Sequence, residues 1–140
     1  MKAQDAARNI INYCFSKGRY VNNIEVQQIM YLLELACYKR TGSKLVTDKP
    51  FCLESFGPII PSVFREYLLY GSDPVSNHLQ PNMLFPEFIY ETLDKMILKN
   101  KLELMVLCIV SQKACKRPLG KNRVMNEEDL ESASVVVSCF

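Results

Sequence analysis

The 140-residue sequence predicts a mainly α-helical fold, a compact bundle of about six helices with one short β-hairpin between the second and third. Three observations carry this. Apolar residues recur at the i, i+3, i+4, i+7 spacing of a single buried helix face in several separate segments. Asn or Pro stands where these segments start, and Gly stands just past the end of several of them. Hydrophobic residues make up 49% of a chain near the commonest domain size, enough for one core, so 1–140 reads as a single domain.

The first helix, expected over 6–17, places Ala7, Ile10, Ile11, Cys14 and Phe15 on one face and ends at Lys17-Gly18. In the second, Asn22 and Glu25 have the spacing of a capping box. Val26, Ile29, Met30, Leu33, Ala36 and Cys37 form its stripe, Lys39 and Arg40 suit its negative end, and Gly42 closes it. The hairpin is expected over 45–56: Leu45-Val46, a Thr-Asp-Lys-Pro turn, then Phe51 to Phe56, broken by Gly57-Pro58. Pro61 suits the first position of a third helix and Gly71 the position after its end. Segment 72–84, with Pro74, Asn77, Pro81 and Asn82, reads as irregular loop.

Pro86 opens a fourth helix with Phe88, Ile89, Leu93, Met96 and Ile97 inward, and Asn100 ends it. Segment 102–112 is apolar nearly all round and is expected to be the central buried helix; periodicity alone leaves a buried strand as the alternative. Segment 113–123 is a basic loop. Asn126 then caps a last helix whose first turn carries Glu127, Glu128 and Asp129, as the helix dipole prefers.

Charge and cysteine usage narrow the function classes. A net charge of +2 gives no broad attraction to nucleic acid or anionic membrane. The longest apolar run, 104–110, is far short of the ~20 residues of a membrane-spanning helix. Met1 to Asp5 leads into an amphipathic stretch and not an apolar signal region, so a soluble, cytoplasmic protein is expected. In that setting the six cysteines read as reduced, mostly buried thiols.

No catalytic or metal-binding constellation emerges. The single histidine, His78, lies in a Pro- and Asn-rich loop, and no local signature pairs it with Cys52 or another thiol. There is no C-x-x-C and no H-x-x-x-H. The glycines are scattered at element ends and make no phosphate-cradling loop. The expectation is therefore no enzyme, no cofactor and no metal. Lys113, Lys116, Arg117, Lys121 and Arg123 are five cations without interleaved aromatics, which disfavours a stacking platform for single strands. A solvated loop is the plain reading, and a nucleic-acid-associated regulator or a phage/host interaction protein using 113–123 is the alternative.

The third helix is more informative. Phe64, Tyr67, Leu68, Leu69 and Tyr70 leave only Ser62, Arg65 and Glu66 for solvent. Either it is buried on several sides or one face awaits a partner. Tyr with Arg is a combination typical of interface hot spots.

Two motifs carry a resemblance. Ile24-Glu25-Val26-Gln27-Gln28-Ile29-Met30-Tyr31, followed by Thr41-Gly42, is the first. Phe56-Gly57-Pro58-Ile59-Ile60-Pro61-Ser62-Val63-Phe64-Arg65-Glu66-Tyr67, closing at Tyr70-Gly71-Ser72, is the second. Together they resemble the Panacea-domain family of SocA-like antitoxins from bacterial and phage toxin–antitoxin pairs, over 23–72. The chain departs from that family in having Glu54 and no tryptophan in the hairpin strand. It also has Ser111-Gln112 and Ala114-Cys115 where the family has Thr-His and Pro-Trp. The resemblance implies an antitoxin-like module that neutralises or sequesters a protein partner, a cognate toxin, by direct binding. The contact surface expected on this basis comprises Gln27, Tyr31, Phe56, Gly57, Pro58, Phe64, Arg65, Tyr67 and Tyr70. Homo-oligomerisation and the role of the apolar 135–137 tail are left open.

Overall fold

The computed structural model describes residues 1–115 and 123–136. Among them are six α-helices: α1 (Ala3–Ser16), α2 (Asn23–Thr41), α3 (Pro61–Glu66), α4 (Glu87–Ile97), α5 (Lys101–Lys113) and α6 (Glu127–Val136). No helix among the described residues is long and apolar enough to cross a membrane.

The architecture is built around α2. Its start is the expected capping box: the Asn22 side chain accepts from the Glu25 N–H at 2.9 Å, and the Asn22 N–H donates to Glu25 at 3.2 Å. Its end is Gly42, left-handed at φ 75°, a conformation glycine adopts without a Cβ clash. Between these ends α2 packs against α1, α3, α4, α5 and α6. It is consequently buried on nearly every side, including Asn23, Glu25, Gln27, Gln28 and Glu34.

Buried polar groups need partners, and those of α2 find them in the segments wrapped around it. Asn23 donates to the Phe64 carbonyl at 2.8 Å, and Gln27 accepts from the Ile60 N–H at 2.9 Å. Glu34 accepts from the N–H groups of Leu45 and Val46 at 3.0 and 2.9 Å. Glu25 also pairs with Arg19 at 2.9 Å, while that guanidinium donates to the carbonyls of Ile97 and Lys99.

These bonds explain why the expected hairpin does not form. The backbone of Leu45 and Val46 is satisfied by the Glu34 carboxylate and not by a partner strand. Phe51 to Leu53 runs instead as an extended lace. Cys52 makes isolated antiparallel bridges to Ile59 on one side and Val124 on the other. Leu53 donates to Arg123, and Met125 donates to Phe51. There is no β-strand among the described residues.

Three further expectations are corrected. The central helix is α2 and not 102–112: α5 is helical, but only Leu104, Cys108, Ser111 and Gln112 of it are buried. Asn100 does not simply end α4; it caps α5 in a second capping box with Glu103. The third helix starts at Pro61 but stops at Glu66, because Tyr67 leaves helical geometry and turns its ring into the core. A 3-10 turn, Leu68–Tyr70, carries the chain on to Gly71. As expected, Asn126 starts α6, its side chain accepting from the Asp129 N–H at 2.9 Å.

Candidate partner-binding surface

The two resemblance motifs fold into one hydrogen-bonded corner, and most of their residues are inside it. Gln27 links Ile60 to Asn23, accepting from the former and donating to the latter at 3.3 Å. Tyr31 is fully buried, its hydroxyl 2.8 Å from that of Ser111 on α5, and burial pushes its phenol far above the usual range. Gly57 has φ +120°, where an L side chain is strained. Its N–H closes the tight turn on Glu54, and a Cβ there would sit 3.7 Å from Cys108. Pro58 is buried beside it. Tyr67 is 2% exposed, and burial raises its hydroxyl to about 12.

Gln27, Tyr31, Gly57, Pro58 and Tyr67 are thus buried scaffold in this chain. Phe56 and Arg65 are exposed, and Phe64 and Tyr70 are half-buried. The rings of Phe56 and Phe64 lie 6.5 Å apart on the outside of the corner. In the 3-10 turn beyond, Leu69 is fully exposed at 100%.

A further exposed apolar feature lies elsewhere, on α5. Leu102, Met105, Val106 and Val110 are exposed at the i, i+3, i+4, i+8 spacing of one helix face, with Leu102 at 62%. Leu98, in the turn before, is 86% exposed. Sequence reasoning missed this face, since a helix apolar all round does not show which side its neighbours leave uncovered.

The first turn of α2 joins the two regions. Asn23 holds the Phe64 carbonyl, and its neighbour Ile24 lines a shallow groove of about 300 Å³ with Gln28, Lys101, Leu102 and Met105. On the inner side of α5, Gly57 abuts Cys108, and Gln112 donates to the Glu54 carbonyl at 2.6 Å. The Phe56 turn is therefore held against the inner side of α5.

The groove lining carries one cation, Lys101, and one carboxylate, Glu25, which is paired with Arg19. Lys101 and Lys113 mark the two ends of α5 and Lys99 precedes it, against a single α5 carboxylate, Glu103, which is engaged in the cap. Of the basic loop, Lys116, Arg117 and Lys121 lie outside the described residues. Arg123 Nη2 donates to both carboxylate oxygens of Asp129, at 2.8 and 2.9 Å.

The chemistry-bearing side chains have structural surroundings. Burial raises the thiols of Cys14, Cys37, Cys52 and Cys108, that of Cys14 to about 12, which keeps them protonated and poorly nucleophilic. The His78 ring packs tilted against Phe15, with centroids 4.2 Å apart and the planes at 40°. Among the described residues no group of three or more His, Cys, Asp or Glu side chains is placed to hold a metal ion. Comparison with protein-family models, curated proteins and solved structures finds no match to this chain.

Proposed function

We propose that this chain is a protein-binding module that sequesters a partner protein, in the manner of an antitoxin holding its toxin. One observation carries the reading: α5 turns four large apolar side chains to solvent along one face. Monomeric proteins seldom leave such a contiguous patch uncovered unless it serves association. The hydrogen bonds that tie α3 and the Phe56 turn to α2 and α5 suit recognition, because a preorganised surface loses little entropy on binding. The resemblance of 23–72 to the antitoxin family points the same way. The raised thiols of Cys14, Cys37, Cys52 and Cys108, and a histidine packed against Phe15, lend no support to an enzyme.

The alternative, a nucleic-acid-associated regulator using 113–123, has weaker support because the Arg123 guanidinium is already engaged by Asp129. Co-expression with the product of the adjacent gene tests the main reading. Binding, together with relief of that product's toxicity, is the expected result. A neighbour that is harmless alone, or that this chain does not bind, would remove the antitoxin role.

A further inference from the structure

The proposal of a protein-binding module leaves open what kind of partner element is recognised, and the inference here rests on that reading. We infer that the outer face of α5, with the groove it forms against the first turn of α2, docks an amphipathic helix of the partner whose flanks are acidic.

Shape supplies the first part. Leu102, Met105, Val106 and Val110 span about 12 Å of helix axis at 1.5 Å per residue. That length meets an i, i+3/i+4, i+7 set of anchors on an incoming helix. Beside the stripe, Ile24 and Gln28 of α2 form the opposite wall, so the receiving surface is a groove and not a flat patch.

Charge supplies the second part and selects the occupant. Lys99, Lys101 and Lys113 stand at both ends of the stripe, and the Glu103 carboxylate accepts from the Asn100 N–H in the cap. Complementary carboxylates on the incoming helix would face cations at either end. A second copy of this chain fits worse. Antiparallel pairing of α5 with itself across a two-fold axis brings Lys113 of one copy towards Lys99 and Lys101 of the other. Like charges at both ends oppose that arrangement.

The test uses the purified full chain and fluorescence anisotropy. The probes are a synthetic amphipathic helical peptide with a leucine face and Glu flanks, the same peptide with Lys flanks, and a scrambled acidic control. The acidic peptide should bind at least about tenfold more tightly than the lysine version, with affinity falling as salt rises. Val106→Glu should weaken it by about tenfold or more at an unchanged unfolding midpoint, and the double variant Lys101→Glu/Lys113→Glu should reverse the peptide preference. Equal binding of acidic, basic and scrambled peptides, or indifference to Val106→Glu, overturns the inference. So does a homodimer in sedimentation that Val106→Glu dissolves, since a second copy is then the occupant. If the chain captures its toxic neighbour but Val106→Glu leaves capture intact, the α5 assignment falls and the binding-module reading survives. If the acidic peptide binds as described but no neighbour is neutralised, the antitoxin reading falls and the α5 assignment stands.

Discussion

Helices α2 and α5 begin with the same device and end up in opposite environments. Each opens with an Asn whose side chain caps a Glu three residues on, and each Glu reaches back to the cap. In sequence, α2 alternates apolar residues with Asn, Gln and Glu, while α5 is the more continuously apolar of the two. Yet α2 is enclosed by the other five helices, and α5 leaves Leu102, Met105, Val106 and Val110 in solvent. The comparison teaches that polarity does not by itself report exposure. A polar side chain inside α2 is tolerated because a backbone group of a wrapping segment meets it. An apolar side chain outside α5 remains exposed because, among the described residues, no other element lies over it.

The contrast breaks most visibly in the core of α2. Leu33→Ala, at a fully buried position, should destabilise the fold by about 3–4 kcal/mol in urea unfolding, whereas Val106→Ala on α5 should change stability by less than about 0.5 kcal/mol. Similar losses at the two sites would mean that α5 is as enclosed as α2.

Glu34 gives the next effect. Burial raises its carboxyl from 4.5 to about 7, against the lowering effect of the Val46 and Leu45 N–H groups, Lys44 and the N-terminal amine. The folded state therefore holds this proton more tightly than the unfolded state, so stability falls as pH rises from about 4.5 to about 7 and is level above. The loss is on the order of 3 kcal/mol. Denaturant midpoints across pH 4.5–8 should show this slope, and Glu34→Gln should flatten it. A wild-type profile without that slope would mean that Glu34 is better solvated than its burial implies.

Gly57→Ala should cost about 2 kcal/mol, because φ +120° strains any residue with a Cβ. Smaller still, Asn22→Ala should cost about 1 kcal/mol, and Asn100→Ala in the exposed α5 box less than that. Equal cap losses would indicate that local capping, and not tertiary enclosure, sets the stability of both helices. Tyr67→Ala belongs with the core substitutions, since its ring is buried.

Local chemistry made much of this fold legible. The caps at Asn22 and Asn126, the left-handed stop at Gly42 and the helix start at Pro61 follow from side-chain geometry within one turn. They hold in the structure because no distant residue competes for those groups. The expected hairpin is different. Its pairing depended on where the N–H groups of Leu45 and Val46 found acceptors, and they are bonded to Glu34, eleven and twelve residues earlier. Of the expected contact surface, Phe56 and Arg65 lie outside as a partner face requires, whereas Gln27, Tyr31, Gly57, Pro58 and Tyr67 are scaffold.

By itself, then, the sequence determined that the chain is helical, where most helices start and which turns need glycine, since each depends on groups within a few residues of one another. Only the tertiary structure decided which helix stands at the centre, which backbone segments its polar side chains capture and which apolar face is left over. Those outcomes depend on which surfaces cover one another across the whole chain, and periodicity along a single helix carries no record of what packs beside it.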